Sequence, residues 1–119
     1  MTLLLMIFLH IVDDYRCQGI LAQMKQKKYW EDNAPDELYK YDYIWALIMH
    51  SFSWTFMIML PLCFVAWATP MFYIVFFANV AIHAYVDDLK ANRHKINLWE
   101  DQLAHLGQIL ITYCLLGVF

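Results

Sequence analysis

Residues Tyr43 to Trp67 read YIWALIMHSFSWTFMIMLPLCFVAW and include no Asp, Glu, Lys or Arg. A helix needs about 20 predominantly apolar residues to cross the hydrocarbon core of a bilayer, so this stretch is long enough to span it. The whole chain has the same character, because 62% of its 119 residues are hydrophobic and 16% are charged. A soluble domain has about 45–50% apolar and about 25% charged residues. The composition therefore excludes a disordered chain and predicts a small integral membrane protein with a single domain, residues 1–119.

Three other apolar stretches accompany this segment; charged residues separate the first from the second and the third from the fourth, and the short turn Ala68–Pro70 separates the second from the third. In lipid every backbone N–H and C=O group must be paired within its own segment, which favours helices. The predicted helices are residues 2–24, 43–67, 71–90 and 98–118. Pro70 suits the first turn of the third helix, and Asn97 with Glu100 resembles a capping box for the fourth. The predicted fold class is all-α, a four-helix transmembrane bundle with a polar cytoplasmic loop that forms a short interfacial helix.

Lysine and arginine residues concentrate in two patches, residues 25–40 and 90–95. Alternating helices place both patches on one side of the membrane, and the positive-inside rule assigns that side to the cytoplasm, with both termini outside. Membrane lipid is therefore the expected partner. The net charge of −3 and the lack of a basic stripe argue against nucleic acid. The bundle is compatible with a homo-oligomer, although no GxxxG seam predicts one.

Four of the five histidines fall inside the apolar segments, and three of these have an aspartate four residues away. Residues i and i+4 of a helix share one face, with Cβ atoms about 5–6 Å apart, so each pair can aim an imidazole and a carboxylate at one point. The candidate metal ligands are His10, Asp14, His50, His83, Asp87 and His105. Ionisable groups inside a membrane are costly and by default functional, which favours a site over scattered substitutions.

Depth along the helices supports a common site. His50, His83 and His105 each lie seven residues from the predicted cytoplasmic boundary of their helix. At about 1.5 Å per residue this places all three roughly 10 Å from that boundary. His10 and Asp14 lie further along the first helix, which must tilt or protrude to join them. We therefore expect one polar layer that opens towards the cytoplasm.

Neutral imidazole together with carboxylate suits zinc, manganese or iron, whereas carboxylate alone would favour magnesium or calcium. The sequence thus predicts a divalent metal, zinc or manganese rather than magnesium, held either as two ions with open positions or as one ion whose ligands are oriented by the remaining residues. Asp101 is the candidate general base, and Lys90 is a candidate for steadying an anionic substrate. Gln18 and Gln102 are expected to orient the ligands through hydrogen bonds. Asp13 adjoins Asp14 but points about 100° away on an α-helix, so we expect it at the solvent or the interface.

These features favour a metal-dependent membrane hydrolase that acts on a lipid-like or membrane-proximal substrate. A cation or proton pathway, in which the His/Asp layer serves as a relay, is an alternative. A non-catalytic interaction protein, in which the polar layer only packs the bundle, is another. HExxH, GxGxxG, GxSxG and P-loop motifs are all missing, which excludes the commonest zincin, nucleotide-binding and serine-hydrolase interpretations.

The motifs that carry these residues resemble one family. They are HIVDDYRCQ with His10, HSFSWTF with His50, HAYVDDLK with His83 and DQLAHL with His105. Together they are similar, over nearly the whole chain, to small bacterial and phage membrane proteins catalogued as domain of unknown function 3307. The resemblance implies a place in the bacterial inner membrane and the same candidate residues, and it implies no reaction. A looser likeness to membrane-bound metal-dependent hydrolases is an analogy.

Overall fold

The structure, a computed structural model, describes residues 1–117, and these residues form helices and short connections without a strand. The α-helices are α1 (Thr2–Val12), α2 (Leu21–Met24), α3 (Lys27–Asn33), α4 (Asp42–Ala66), α5 (Pro70–Ala91) and α6 (Leu98–Leu116). A π-helical turn, Asp13–Cys17, follows α1, and a 3-10 turn, Glu37–Tyr39, precedes α4. The predicted all-α class is therefore confirmed for the described residues, and a short helix, α3, does form in the polar loop.

Four of these helices pack in a ring, in which α1 contacts α4, α4 contacts α5, α5 contacts α6, and α6 contacts α1. The bundle interior has two layers. One layer, near the loops that carry the charged residues, contains the histidines and aspartates. The other is an apolar core whose buried members include Met6, Ile58, Leu62, Val75 and Ile109. The bundle therefore places its polar layer at one end and its apolar core at the other.

The predicted second, third and fourth helices begin within one residue of their observed starts. Asp42–Ala66 replaces the predicted 43–67, and Pro70–Ala91 replaces 71–90. The fourth helix begins at residue 98 as predicted, and its predicted end at residue 118 lies outside the described residues. The start signals also act as expected, because Pro70 occupies the first turn of α5, and Asn97 and Glu100 form a complete capping box.

The predicted single helix over residues 2–24 is interrupted. The helical turns end after residue 17, and Gly19 adopts a φ of 53°, in the left-handed region that glycine enters at little cost. The chain then turns into α2 and α3, which lie beside α4. The break redirects Lys25 and the polar loop across the end of the bundle instead of extending the first helix.

Two segments are long and apolar enough to cross a membrane. They are Glu37–Ala66, which adds the 3-10 turn to α4 and has a mean hydropathy of 1.6, and Pro70–Ala91, with a mean hydropathy of 1.3. Among the described residues α1 and α6 do not meet the same criterion. The structure thus supports two candidate spans, and the four spans of the sequence prediction are not confirmed.

Candidate metal centre

The four histidines of the apolar segments meet at one end of the bundle. His10 comes from α1, His50 from α4, His83 from α5 and His105 from α6, and each is at most 2% exposed. The ring centroids of His83 and His105 lie 4.1 Å apart, and those of His50 and His83 lie 5.1 Å apart. Trp54 stacks on His83 with a centroid distance of 4.1 Å and separates the histidines from the apolar core. The sequence predicted this convergence from the i, i+4 pairs and from the common depth of His50, His83 and His105, with His10 joining them only if the first helix tilts or protrudes.

A first group of ligand atoms belongs to Asp14, His50 and His83. Nε2 of His50 lies 3.2 Å from Nε2 of His83 and 3.4 Å from Oδ1 of Asp14. Oδ2 of Asp87 lies 3.4 Å from the same His50 nitrogen. A hydrogen on His50 Nε2 can be directed at only one of these three neighbours, whereas a cation can attract all of them.

A second group belongs to His83, Asp87 and His105. Nε2 of His105 lies 3.3 Å from Oδ1 of Asp87 and 3.3 Å from Oδ1 of Asp101. His83 belongs to both groups. Asp87 directs Oδ1 towards the second group and Oδ2 towards the first, so its carboxylate connects the two.

The separations from His50 Nε2 and His105 Nε2 to their neighbours are close to the distance between ligand atoms in a tetrahedral metal site, and the atoms of each group lie within 4.8 Å of one another. Metal–ligand bonds of about 2.0–2.1 Å place adjacent ligand atoms of a tetrahedron roughly 3.3 Å apart. The separations from His50 and His105 to their neighbours are 3.2 to 3.4 Å. Five of the predicted ligands therefore have the donor types and spacing that fit a divalent cation: Asp14, His50, His83, Asp87 and His105.

Gln108 determines which nitrogen of His105 carries the hydrogen. The amide nitrogen of Gln108 donates to the backbone oxygen and to Oδ1 of Asn79, at 3.2 and 3.1 Å. Oε1 of Gln108 is left to accept from Nδ1 of His105 at 3.3 Å. The lone pair of His105 Nε2 then faces the oxygens of Asp87 and Asp101. Three acceptors that face one another are stable only around a proton or a cation.

Several buried polar atoms of the cluster have no hydrogen-bond partner among the described residues. They are Oδ2 of Asp13, Nδ1 of His83, Oδ1 of Asp101 and Nε2 of His105. A buried polar group without a partner costs about 1–3 kcal/mol, and such a concentration is unusual in a folded protein. The unpartnered Asp101 and His105 atoms are the same atoms that face each other at 3.3 Å. They mark a place where a positive charge would be stabilised.

His10 differs from the other three histidines because both of its nitrogens are hydrogen-bonded. Nε1 of Trp54, which can only donate, bonds Nδ1 at 2.8 Å, so Nε2 carries the hydrogen and donates to Oε1 of Gln102 at 3.1 Å. The amide nitrogen of Gln102 donates in turn to Oδ2 of Asp14 at 3.2 Å and of Asp101 at 3.0 Å. Gln102 thus orients two carboxylates as predicted. His10 orients Gln102 in this arrangement, which leaves it no free lone pair for the predicted ligand role.

Asp13 was expected at the solvent or the interface, and that expectation was wrong because the side chain is 1% exposed. Its Oδ1 accepts a hydrogen bond from Ser53 at 2.7 Å, and its Oδ2 lies 3.8 Å from Nδ1 of His50. The cause is the π-helical turn, Asp13–Cys17, whose wider winding turns Asp13 and Asp14 towards the same cluster. No residue pattern in the sequence predicts such a turn, although π-helical turns are frequent at functional sites.

Two lysine ammonium groups pair with the carboxylates. Nζ of Lys25 donates to Oδ2 of Asp87 at 2.7 Å, and Nζ of Lys90 donates to Oδ2 of Asp101 at 2.8 Å. The sequence placed Lys90 at the site and missed Lys25, which is 5% exposed. Because the first helix ends before Gly19, the position of Lys25 does not follow the periodicity of that helix. Helical periodicity therefore could not predict that Lys25 reaches the cluster.

Gln18 has a different partner from the one predicted. Its amide nitrogen donates to the backbone oxygen of Asp14 at 2.8 Å, so it supports the helical turn and does not touch the Asp14 carboxylate. Trp54 was missed as a site residue, although it follows His50 by four positions and shares its helix face. That spacing was the available signal.

Comparisons of this chain with protein-family profiles, curated proteins and solved structures found no match. The candidate centre therefore stands on its own geometry.

Proposed function

We propose that this chain is a metal-dependent hydrolase of the membrane, which holds a divalent cation in the His/Asp cluster and acts on a lipid-like or membrane-proximal substrate. The observation that carries the proposal is the group of Asp14, His50 and His83 ligand atoms, which lie within 4.8 Å of one another; Nε2 of His50 is 3.2 to 3.4 Å from the nearest atoms of Asp14, His83 and Asp87. Zinc or manganese is preferred over magnesium because imidazole nitrogens belong to the donor set.

Charge balance supports one divalent cation. The cluster contains four carboxylates, of which Asp87 and Asp101 are paired with lysine ammonium groups. Asp13 and Asp14 have histidine and hydrogen-bond partners but no lysine or arginine partner among the described residues. With neutral histidines the cluster therefore carries two uncompensated negative charges, and a proton on Nε2 of His105 would compensate one of them. A cation with two positive charges would neutralise them, and buried charge is tolerated only when it is compensated.

The proposed membrane arrangement is a four-span bundle in the bacterial inner membrane with both termini outside. Exposed apolar side chains such as Phe64, Ile74, Phe77 and Ile111 support contact with lipid, because a water-soluble protein seldom presents so many. The basic residues at 25–40 and 90–95 favour the cytoplasm for the end that contains the cluster. Membership of the family catalogued as domain of unknown function 3307 is part of this proposal.

The chain supplies a base and its positioning groups. A bound divalent cation would act as a Lewis acid that polarises the bond to be cleaved and makes water more acidic. Asp101 holds Oδ2 in hydrogen bonds from Lys90 and Gln102, while its Oδ1 has no donor. That free oxygen is placed to accept a proton from water beside the cluster. The Trp54–His10–Gln102 chain keeps the two carboxylates of Asp14 and Asp101 in position.

Elemental analysis of the purified protein in detergent tests the metal centre. We expect about one zinc or manganese ion per chain in the wild type, since a site with three or four protein ligands binds such ions tightly. The His83→Asn variant should lose most of this metal. His94→Asn is the matched control, because His94 is exposed and lies outside the cluster, and it should retain wild-type metal content.

Asp14→Asn gives a second variant in case His83→Asn does not fold, and circular dichroism shows which of them retain the helical structure. A folded wild-type protein that binds neither zinc nor manganese when they are supplied would contradict the proposal. Hydrolytic activity is tested separately with lipids that contain a phosphate ester, a carboxylate ester or an amide bond. A protein that binds metal and cleaves none of these would favour a non-catalytic role.

A cation or proton pathway is a second candidate, and one observation favours it. Buried polar side chains continue from His105 through Gln108 and Asn79 to Thr112, which accepts a hydrogen bond from Asn79 at 2.7 Å. This ladder carries hydrogen-bonding groups into the part of the bundle that lacks charge. Proton or cation flux into proteoliposomes, which should fall in a Thr112→Val variant, tests this candidate. Flux equal to that of empty liposomes would exclude it.

A further inference from the structure

A depression lies beside the metal centre and is lined by the same two lysines that pair with its carboxylates. Its volume is about 400 Å³, and Gln18, Lys25, Gln26 and Lys90 contribute to its lining. None of the described residues that line it is acidic. Small-molecule sites occupy roughly 300–1,000 Å³, so the depression has the size of a ligand site.

The two ammonium groups stand between this depression and the buried carboxylates. Lys25 touches Asp87 and Lys90 touches Asp101, each through one hydrogen bond of 2.7 to 2.8 Å. A lysine ammonium has three N–H donors, so each lysine has two donors beyond its hydrogen bond to the aspartate. Lys90 is the more accessible of the two, with 31% of its side chain exposed.

We infer that the depression binds the phosphate group of a phosphate ester, either a lipid headgroup or a small soluble ester. This inference rests on the proposed function, because it names the substrate class of the same centre. A phosphate has several acceptor oxygens and can bind more than one ammonium group, and both lysines line the depression; lysine is a common phosphate-binding residue. The amides of Gln18 and Gln26 provide further polar groups without adding negative charge to the lining.

The arrangement also couples the phosphate to the metal. A cation among the aspartates would take over part of the compensation of Asp87 and Asp101 that the two lysines now provide. The ammonium groups would then be freer to attract an anion from the depression. Phosphate and metal should therefore bind with positive cooperativity, and linkage requires each to raise the affinity of the other by the same factor.

Calorimetric titration of the full chain in detergent with glycerol 3-phosphate tests this inference, with zinc loaded and with zinc removed. We expect Lys90→Gln to weaken binding about tenfold, which is the usual effect of removing one charged hydrogen bond. Lys25→Gln should also weaken binding about tenfold. Lys90→Gln is the safer of the two variants, because Lys90 is more exposed than Lys25 and its replacement disturbs the folded structure less. Lys28→Gln is the matched control, because Lys28 is exposed and its one ion-pair partner in residues 1–117 is Asp32.

Native mass spectrometry of protein loaded with phosphatidic acid or with phosphatidylcholine distinguishes the two sources of phosphate. Lysine-dependent retention of phosphatidic acid indicates a lipid headgroup, and lysine-dependent binding of glycerol 3-phosphate alone indicates a soluble ester. Either result supports the inference. Phosphate binding that is equal in wild type, Lys90→Gln and Lys28→Gln would overturn it, as would its absence from metal-loaded protein.

Metal content, measured on the same samples, separates the two proposals. Protein that retains its metal but binds no phosphate overturns the phosphate site alone. Protein that binds phosphate through its lysines but takes up no metal overturns the metal centre and leaves the anion site standing.

Discussion

The side chain of Trp54 connects the apolar core to the polar layer. Its indole N–H bonds Nδ1 of His10 at 2.8 Å, its ring stacks on His83, and it belongs to the apolar core. Because the indole nitrogen can only donate, Nδ1 of His10 accepts, and the single ring hydrogen of His10 is on Nε2, which donates to Oε1 of Gln102. A single aromatic residue thus sets the direction of a hydrogen-bond chain that ends on two carboxylates.

The Trp54→Phe variant tests this control. Phenylalanine keeps an aromatic ring against His83 but removes the N–H that holds His10, so Gln102 loses its fixed orientation. We expect zinc affinity, measured by competition with a chelating dye, to fall about tenfold, as is typical when a group that orients a metal site is removed. Trp99→Phe is the control, because Trp99 is 77% exposed. Equal zinc affinity in both variants would show that His10 needs no such support.

For individual residues, the sequence predicted side-chain positions correctly where the residues lie in a regular α-helix. The pairs His83–Asp87 and Asp101–His105 lie within regular helices, and each brings its side chains within 3.8 Å. Asp13 and Lys25 were missed because each depends on a departure from the α-helix, one on the π-helical turn and the other on the break at Gly19. Periodicity arguments assume regular winding, and they fail where winding changes.

The element that shapes the site most is the interrupted first segment. Its π-helical turn presents two adjacent aspartates to the cluster, and its break at Gly19 allows α2 to bring Lys25 back over α5. A continuous helix over residues 2–24 would have carried Lys25 away along its axis. The helices α4, α5 and α6 contain no such interruption. Their long apolar segments and the residues at their starts are enough to determine where they form.

Two glycine substitutions separate backbone conformation from packing. A Cβ atom added at Gly19 or at Gly107 meets no atom within 4 Å, so neither change creates a clash. Gly19 has a positive φ, and we expect Gly19→Ala to lower the free energy of unfolding by about 1 kcal/mol. Gly107 lies inside α6, where alanine is favoured over glycine by about 1 kcal/mol, so Gly107→Ala should raise it.

Unfolding of both glycine variants in mixed micelles, followed by circular dichroism, gives the two free energies. A free energy of unfolding that is unchanged or raised in Gly19→Ala would mean that the turn at residue 19 does not require its left-handed conformation. Metal content of Gly19→Ala adds a second measurement, because a displaced turn would also displace Lys25 from Asp87.

Across the whole molecule the charges are strongly asymmetric. No Asp, Glu, Lys or Arg occurs between Asp42 and Asp87 or after Asp101, so the turn between α4 and α5 is free of formal charge. The molecule is 50 Å long, which exceeds the roughly 40–45 Å of a bilayer with its headgroups. Charged loops at one end and apolar faces along the two candidate spans, α4 and α5, are the features on which the proposed membrane orientation rests.

Cysteine labelling in intact cells tests this orientation at the scale of the whole chain. In a background with Cys17, Cys63 and Cys114 replaced by serine, we expect Ala68→Cys, in the turn between α4 and α5, to react with a membrane-impermeant maleimide from outside. Lys28→Cys, in α3, should react only after the inner membrane is permeabilised, because the positive-inside rule keeps its basic loop in the cytoplasm. Both positions are exposed, so access to the reagent depends on the membrane and not on burial. Labelling of both cysteines from outside would place the two loops on one side and show that α4 and α5 do not cross the bilayer as a hairpin. Labelling of Lys28→Cys alone would mean that the hairpin crosses in the opposite direction, with the candidate metal centre facing the periplasm.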